Sequence, residues 1–280
     1  MKKQQIGGLT DQQKESAMKI GKYIVMGIII LLILYLAYYL YTSYRNRKNN
    51  EPVFISEPMK ANKAMTIASE NVPISINGNE YAYSFWMFID DWNYKFDSPK
   101  CVLYRGTFDC DHANPSIWLY PRENKLMVRC ETYGNTSNSG MYVNNDRTMN
   151  PRKDPTLLGI NKSCDIENIP LQSWVHITVS LWNRTLDVYI NGKLTRSCIL
   201  DGVAKLNNGN LYITQYGGYS GYISKLQFYN YALTPEKIYG LYKKGPYPGV
   251  WWWNNFTETL PKINASVTVT TSSGDNTYSF

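Results

Sequence analysis

Histidine and cysteine are scarce in this chain of 280 residues, which holds two of the former and five of the latter. No CxxC pair occurs, and neither His112 nor His176 is spaced from the cysteines as in a zinc site. HExxH, phosphate-loop and Ser/His/Asp patterns are missing as well. The sequence therefore gives no indication of zinc, nucleotide or catalytic-triad chemistry.

Charge is missing from one long stretch, residues 23–41, which reads YIVMGIIILLILYLAYYLY and contains no proline. About 20 apolar residues in an α-helix cross a hydrocarbon core of about 30 Å. Tyrosines at both ends and flanking Lys and Arg residues are typical of the membrane interface. The sequence predicts a short N-terminal tail (residues 1–22) and a single transmembrane helix at residues 23–44. A buried helix of a soluble core rarely lacks a polar face over this length, and a cleaved signal peptide has a shorter apolar run.

The net charge of +7 is unevenly distributed along the chain. Residues 1–50 contain eight Lys or Arg against two Asp or Glu, whereas residues 51–280 contain 21 against 20. The excess basic charge thus flanks the apolar helix, where it meets lipid headgroups. The expected partner is a lipid membrane, and nucleic acid is not expected.

Membrane orientation depends on features that follow the helix. The flanking Lys and Arg counts are nearly equal, so they do not decide it. All five cysteines follow the helix, which favours disulfides in an oxidising compartment over buried cysteines in a reducing one. We expect a cytoplasmic N-terminus with the C-terminal domain on the opposite face. The glycosylation candidates are Asn135, Asn161, Asn183, Asn255 and Asn264.

Two cysteine pairs are the disulfide candidates. Cys164 and Cys198 flank a predicted central hairpin and would close a ring around it. Cys101 and Cys130 lie on successive predicted strand segments, and Cys110 would remain free. Connectivity does not follow from sequence alone, so both pairings are hypotheses.

After the apolar helix, the residue composition of the chain changes twice. Residues 45–71 form a polar stretch with two prolines, which predicts a linker. Residues 72–246 contain short runs of Val, Ile, Tyr, Phe and Trp broken by turn residues, a pattern typical of many strands. Only Thr234–Tyr242 has helical features, with Thr234 as the N-cap and Pro235 in the first turn. Residues 247–280 form a separate tail.

Three motifs in this order carry a family resemblance. They follow a strand containing Phe85-Trp86 and read QSWVHITV at residues 172–179, LDVYINGK at 186–193 and GYISKLQFYNYALTPEKI at 221–238. The region resembles the laminin-G-like domains of the concanavalin A-like lectin/glucanase superfamily. The resemblance implies an all-β fold, an antiparallel jelly-roll sandwich with one short helix near its C-terminal end. It also implies that Trp174 fills the space between the sheets and that His176 is a packed strand residue.

Relatives in this superfamily often bind calcium, then sugars or proteins. Calcium prefers six to eight oxygen ligands from loops, so it is the candidate cofactor. Its candidate ligands are Asp90, Asp91, Asp109 and Asp111. Aromatic side chains in turns or in the tail are candidate ligand-binding residues, because exposed rings stack on sugars or anchor protein interfaces. These are Trp92, Tyr216, Tyr219, Trp251, Trp252 and Trp253.

The sequence favours a non-enzymatic, single-pass membrane protein for recognition or scaffolding. One version binds a glycan or a receptor, as a surface lectin or adhesion protein. The other tethers a membrane to a protein assembly, and the design is similar to predicted membrane proteins of large double-stranded DNA viruses, where it would be a virion component. A glycoside hydrolase is the third alternative. It needs paired carboxylates, and the E-x-D-x-x-E run of laminarinase-type relatives does not occur.

Overall fold

The computed structural model describes residues 11–75, 78–133, 149–158, 164–200 and 202–247, together with the backbone of 266–271 and 274–279. The chain divides into two compact units, residues 1–50 and residues 51–280. Each unit is described by itself below.

The first unit is one continuous helix, α1 (Asp11–Asn50). Residues 18–50 of this helix have a peak mean hydropathy of 2.4, and their side chains are not buried within the protein. By length and composition, α1 can serve as a membrane anchor or as a signal sequence. The helix extends beyond the predicted span in both directions and ends just before Pro52, which disfavours helical geometry at the preceding residue.

The second unit is a sandwich of two antiparallel sheets, as the sequence predicted. Sheet A has the order β1-β13-β4-β9-β10-β11, with β2 also paired to β13, and sheet B has the order β3-β12-β5-β6-β7-β8. The strands of sheet A are β1 (Val53–Ile55), β2 (Met59–Lys60), β4 (Tyr81–Ile89), β9 (Trp174–Trp182), β10 (Thr185–Ile190), β11 (Lys193–Ile199) and β13 (Gly221–Tyr229). Those of sheet B are β3 (Met65–Ile67), β5 (Lys100–Gly106), β6 (Ser116–Leu119), β7 (Lys125–Arg129), β8 (Ile166–Glu167) and β12 (Asn210–Ile213).

Shorter elements complete the described chain. Helix α2 (Pro235–Lys243) begins at the predicted cap, where the Thr234 hydroxyl accepts a hydrogen bond from the Lys237 amide. A separate hairpin, β14 (Ser266–Thr271) and β15 (Gly274–Ser279), pairs only with itself among the described strands. Single helical turns occur at Ser69–Asn71, Pro155–Leu157 and Gln215–Gly217.

Strand alternation decides which side chains build the core. Along β4, Tyr83, Phe85 and Met87 point between the sheets and are fully buried in the main cluster. The alternate residues, including Ser84 and Trp86, face the outer side of sheet A. There Ala82, Tyr189 and Tyr229 pack against Leu233 and Ile238 of the α2 region. A third cluster covers the outer face of sheet B.

The predicted linker over residues 45–71 is wrong in its extent. Its first residues continue α1, and three short strands within it, β1, β2 and β3, join the sandwich. β1 and β2 pair with β13, while β3 pairs with β12. Strands of two or three residues are too short to show a periodic pattern, and their partners lie more than 140 positions away along the chain.

The structure joins Cys164 and Cys198 by a disulfide, with Cα atoms 6.0 Å apart. The predicted pairing of Cys101 with Cys130 is wrong, since both are free and buried, as is Cys110. Cys101 lies opposite Trp118, which lies opposite Met127, and all three face the outer cluster of sheet B. Cys130 follows Met127 by three positions and faces the core between the sheets. Side chains on opposite faces of a sheet cannot form a disulfide.

Candidate functional site

The outer face of sheet B carries an ordered layer of aromatic rings. The ring of Tyr104 stacks on Trp118 with centroids 6.1 Å apart and on Tyr212 at 5.0 Å. Tyr216 extends the layer, because its ring also stacks on Trp118, at 5.9 Å. These pairs lie within the distances at which aromatic contacts stabilise. The layer therefore provides a rigid foundation for whatever lies above it.

Two chain segments cover most of this layer. Cys110 and Ala113 after β5, with Met149 and Leu157 from the second segment, are fully buried against it. The segments are joined to each other, since the Met149 amide donates to the Cys110 carbonyl at 2.9 Å. The Ser116 hydroxyl donates to the Met149 carbonyl at 2.8 Å. Among the residues that the structure describes, the aromatic layer is therefore accessible along one border.

Phe108 is the exposed residue of that border, with 60% of its surface accessible. Its ring contacts Tyr212 edge-on at 5.9 Å and Tyr216 at 6.2 Å. The hydroxyls of Tyr104 and Tyr216 both donate to the Phe108 carbonyl, at 2.7 and 2.8 Å. These bonds fix the backbone of an exposed aromatic residue in a turn.

Cations surround the same border. The Arg152 guanidinium lies 5.1 Å from the centre of the Tyr216 ring, within cation–π range. The Lys95 ammonium donates to the Tyr216 carbonyl, and burial together with the nearby Arg152 charge lowers the pKa of Lys95. We name Phe108, Tyr212, Tyr216 and Arg152 the aromatic rim. It combines an exposed ring, a buried stacked base and a guanidinium.

Those predicted aromatic ligand residues that the structure describes are not brought together. Tyr216 belongs to the rim. Trp92 is half-buried and packs on the core, with the Lys100 ammonium 4.9 Å from its ring. Tyr219 is fully buried, and its hydroxyl donates to the Tyr222 carbonyl, so its prediction as an exposed ligand residue is wrong. The remaining candidates, Trp251, Trp252 and Trp253, lie outside the described residues.

The reason for the burial of Tyr219 lies in the surrounding backbone. Gly217, Gly218 and Gly221 all have positive φ, a conformation that favours glycine. They turn the connection between β12 and β13 inward as it passes from sheet B to sheet A. β12 and β13 therefore lie in different sheets and do not pair with each other.

The four candidate calcium ligands do not form a site. Within the described ranges, no group of three or more His, Cys, Asp or Glu side chains converges as a metal site requires. Asp91 accepts a hydrogen bond from the Asn93 amide, and Asp109 pairs with the Lys153 ammonium at 3.0 Å. Asp90 is exposed after β4, and Asp111 is partly buried in the loop after β5. The carboxylates of Asp91 and Asp109 are thus engaged with other groups of the protein.

Of the glycosylation candidates, the structure describes Asn183. It is exposed in the β9–β10 turn, with φ of 54°. Asn135, Asn161, Asn255 and Asn264 lie outside the described residues.

Sequence reasoning missed Phe108, Tyr212 and Arg152. Phe108 follows a strand and stands among turn residues, in the stretch RGTFDCD. It therefore satisfies the same criterion that singled out Trp92 and Tyr216, and it could have been found. Tyr212 alternates within a strand, and Arg152 reaches the Tyr216 ring only through tertiary structure, so neither has a local signal.

Comparison with known proteins identifies the family of this chain. A family model described as the concanavalin A-like lectin/glucanases superfamily matches residues 60–239. No curated protein has significant sequence similarity to the chain.

Similar solved structures include the binding domain of botulinum neurotoxin DC in complex with rat synaptotagmin II, at 14% identity and a TM-score of 0.38 over 59% of this chain. A structure of botulinum neurotoxin type C, whose cell entry depends on two ganglioside molecules, has 15% identity and a TM-score of 0.39 over 61%. The serotype C1 binding domain gives the same identity, TM-score and coverage. The chain spans 36–37% of the length of these structures.

Proposed function

Because the chain belongs to the concanavalin A-like lectin/glucanases superfamily, we propose that its sandwich is a non-enzymatic recognition module that binds a glycan or a glycan-bearing receptor at the aromatic rim. The observation that carries this proposal is the exposed Phe108 ring, held on a stacked aromatic base beside Arg152. The neurotoxin structures compared above belong to proteins that bind synaptotagmin II or gangliosides.

The rim has the parts that sugar recognition needs. The apolar face of a pyranose ring stacks on the exposed ring of Phe108, while Arg152 donates hydrogen bonds to hydroxyls or to a sugar carboxylate. The hydrogen bonds that fix the Phe108 carbonyl reduce the ordering cost of binding. This chemistry favours a sugar with one apolar face and an acidic or hydroxyl-rich edge.

In this proposal, α1 determines where in the cell the recognition module lies. It anchors the sandwich at a membrane, with the N-terminus on the cytoplasmic side and the sandwich on the opposite face. The disulfide between Cys164 and Cys198 and the exposed Asn183 sequon support an oxidising, glycosylating compartment.

Hydrolysis is less well supported than binding. Retaining enzymes need two carboxyl groups about 5–5.5 Å apart, and inverting enzymes need about 6.5–9.5 Å. Asp109, beside the rim, is paired with Lys153. An aromatic layer covered by two chain segments also leaves no long cleft for a polysaccharide over the described part of sheet B.

A second candidate function is a tether between a membrane and a protein shell, as in a virion. The observation that favours it is an apolar patch at one end of sheet A. Trp182 is 63% exposed and Ile199 is 77% exposed, and both lie opposite Thr185 on the outer face. Next to them, β11 forms a sheet edge among the described strands, and such edges accept a partner strand.

A glycan array probed with the full chain in detergent micelles tests the two candidates. F108A should weaken binding to any glycan hit by about tenfold or more, as truncation of a central aromatic contact does. W182A removes an aromatic residue of similar exposure at a distant edge and should leave glycan binding unchanged.

The opposite pattern identifies the tether. An array without hits, together with loss of co-purifying shell protein in W182A but not in F108A, would replace the first proposal with the second. Release of reducing sugar from a β-glucan, abolished by a carboxylate substitution, would replace both with hydrolysis.

A further inference from the structure

A second concave site lies on the outer face of sheet A, away from the aromatic rim. It is a pocket of about 200 Å³, several times the roughly 30 Å³ that one water molecule occupies in the liquid. Its polar lining includes Ser84, His176, Lys225, Gln227 and Lys244, and its apolar lining includes Trp86. All these residues belong to the sandwich unit.

The floor of the pocket is an imidazole held between aromatic rings. The Trp86 ring lies 5.1 Å from the His176 ring and stacks on Tyr242 at 5.8 Å. Nε2 of His176 lies 2.9 Å from the Ser84 hydroxyl oxygen. Nδ1 of His176 is buried and has no hydrogen-bond partner within the described structure. A buried polar atom without a partner costs free energy, which a ligand can recover.

The neutral state of this histidine makes it a useful donor. Burial lowers the pKa of His176 to about 4, so one ring nitrogen carries a hydrogen at neutral pH. When the Ser84 hydroxyl donates to Nε2, the hydrogen lies on Nδ1. In this tautomer Nδ1–H is a buried donor that no acceptor among the described residues uses.

Two lysines border the pocket. Among the described residues that line it, Lys225 and Lys244 are cationic and none is acidic. The Lys225 ammonium donates to the Lys244 carbonyl at 3.2 Å. Burial and the Lys244 charge lower the pKa of Lys225. Glu51, whose carbonyl accepts from Gln227, has its carboxylate paired with Lys237 and is not free to neutralise them.

The backbone of Lys225 is strained, and strain of this kind is often found at functional sites. Lys225 has φ of 47° at a break in the β13–β4 register between Ser224 and Gln227. Non-glycine residues rarely adopt this conformation. Bulges of this kind redirect side chains at sites, and this one places a lysine at the pocket.

We propose that this pocket binds a phosphate group, with Lys225 and Lys244 as its cationic ligands and the Ser84–His176 pair as its hydrogen-bonding floor. The two negative charges of a phosphate complement the two lysine ammonium groups. Its oxygens can accept a hydrogen bond from the buried donor. Its source is either a soluble phosphate compound or a phospholipid headgroup. The headgroup source rests on the proposed membrane anchor, whereas the soluble source does not.

Calorimetric titration of the full chain in neutral maltoside micelles with inorganic phosphate and glycerol phosphate tests the soluble source. K225M and K244M should each weaken the affinity about tenfold, the effect of losing a charge-assisted hydrogen bond. K243M is the matched control, because Lys243 is the adjacent residue, is exposed, and lies over the Tyr239 ring outside the pocket. K243M should bind as the unaltered chain does.

Nanodiscs of phosphatidylcholine with and without phosphatidic acid test the headgroup source. Saturable binding that appears only with phosphatidic acid, and that falls in K244M, identifies the headgroup. No saturable binding in either arm, an equal loss in K243M, or equal binding of acetate would overturn the proposal. Because Lys225 lies on a strained bulge, K244M keeps the test decisive if K225M unfolds. None of these outcomes depends on glycan binding at the rim.

Discussion

The hydroxyl oxygen of Ser84 lies 2.9 Å from Nε2 of His176, between two paired strands of sheet A. Ser84 lies opposite Thr178, so it meets His176 diagonally across the strand pair. His176 is 1% exposed. The stability of the sandwich should therefore depend on keeping this imidazole neutral.

The first prediction follows from the pKa of His176, which burial lowers from 6.5 to about 4. Between these values the unfolded chain binds a proton that the folded chain does not, so stability is complete above pH 6.5 and falls as pH decreases to 4. One pKa unit corresponds to about 1.4 kcal/mol, so the loss approaches about 3 kcal/mol. Denaturant unfolding of the full chain in micelles should show this slope, and H176Q should lose it.

All other titratable groups are present in both proteins, so their contributions cancel in the comparison. An identical pH slope in H176Q and in the unaltered chain would contradict the assignment.

A second prediction concerns a buried ion pair at the outer edge of sheet B. The Arg129 guanidinium pairs with Asp165, and their side chains are 1% and 13% exposed. Removing one partner of a buried pair leaves an uncompensated charge, which costs about 3–5 kcal/mol. D165N should therefore lower the free energy of unfolding by about that amount.

The matched control is the pair of Arg122 with Asp97, whose side chains are 71% and 57% exposed. D97N should change stability by less than about 1 kcal/mol, since solvent screens exposed pairs. Equal losses in D97N and D165N would show that burial does not set the strength of these pairs.

A third prediction concerns the five cysteines. The Cys164–Cys198 bond closes a ring with a sequence separation of 34, for which the loop-entropy relation gives about 4 kcal/mol of stabilisation. C198S should lower the free energy of unfolding by roughly this amount.

Burial raises the pKa of the three free thiols, that of Cys130 to about 12, so they should react with iodoacetamide only after unfolding.

Mass spectrometry of the non-reduced, alkylated full chain checks this assignment. We expect three alkylated cysteines in denaturant and one peptide linked through Cys164 and Cys198. A linked peptide containing Cys101 and Cys130 would restore the pairing that the structure rejects.

Local sequence signals predicted much of the sandwich. The strand expected around Phe85-Trp86 is β4, and Thr234-Pro235 places the start of α2. What could not be predicted depends on distant partners. Trp174 illustrates this, since we expected it between the sheets. It lies on the outer face, where its ring contacts Phe88 and its indole donates to the Tyr247 hydroxyl. The alternation of β9 was visible, but which face meets the other sheet was not.

The candidate sites depend even more on contacts between distant residues, which local sequence signals do not predict. An aromatic residue in a turn is visible in sequence, so Tyr216 could be proposed and Phe108 could have been. The stacking of Tyr216 on Trp118 joins residues 98 positions apart, and no local pattern encodes it. The pocket proposed to bind phosphate likewise joins Ser84, His176 and Lys244, which lie in three separate parts of the chain.

The last prediction tests membrane orientation through Asn183, which is exposed in the β9–β10 turn. If the sandwich lies on the side opposite the cytoplasm, the glycosylation machinery can reach this sequon. A variant in which the other four sequon asparagines are changed to glutamine should still show one glycosidase-sensitive shift on a gel when it is made with microsomes. Adding N183Q should abolish the shift.

Protease protection supplies the second readout of orientation. In sealed microsomes the sandwich should be protected from added protease until detergent is present, whether or not Asn183 is modified. A protected sandwich without a gel shift would preserve the orientation and remove Asn183 as a modification site. A sandwich that is digested without detergent would reverse the orientation, and it would also place the Cys164–Cys198 disulfide in a reducing compartment, where such bonds are rare.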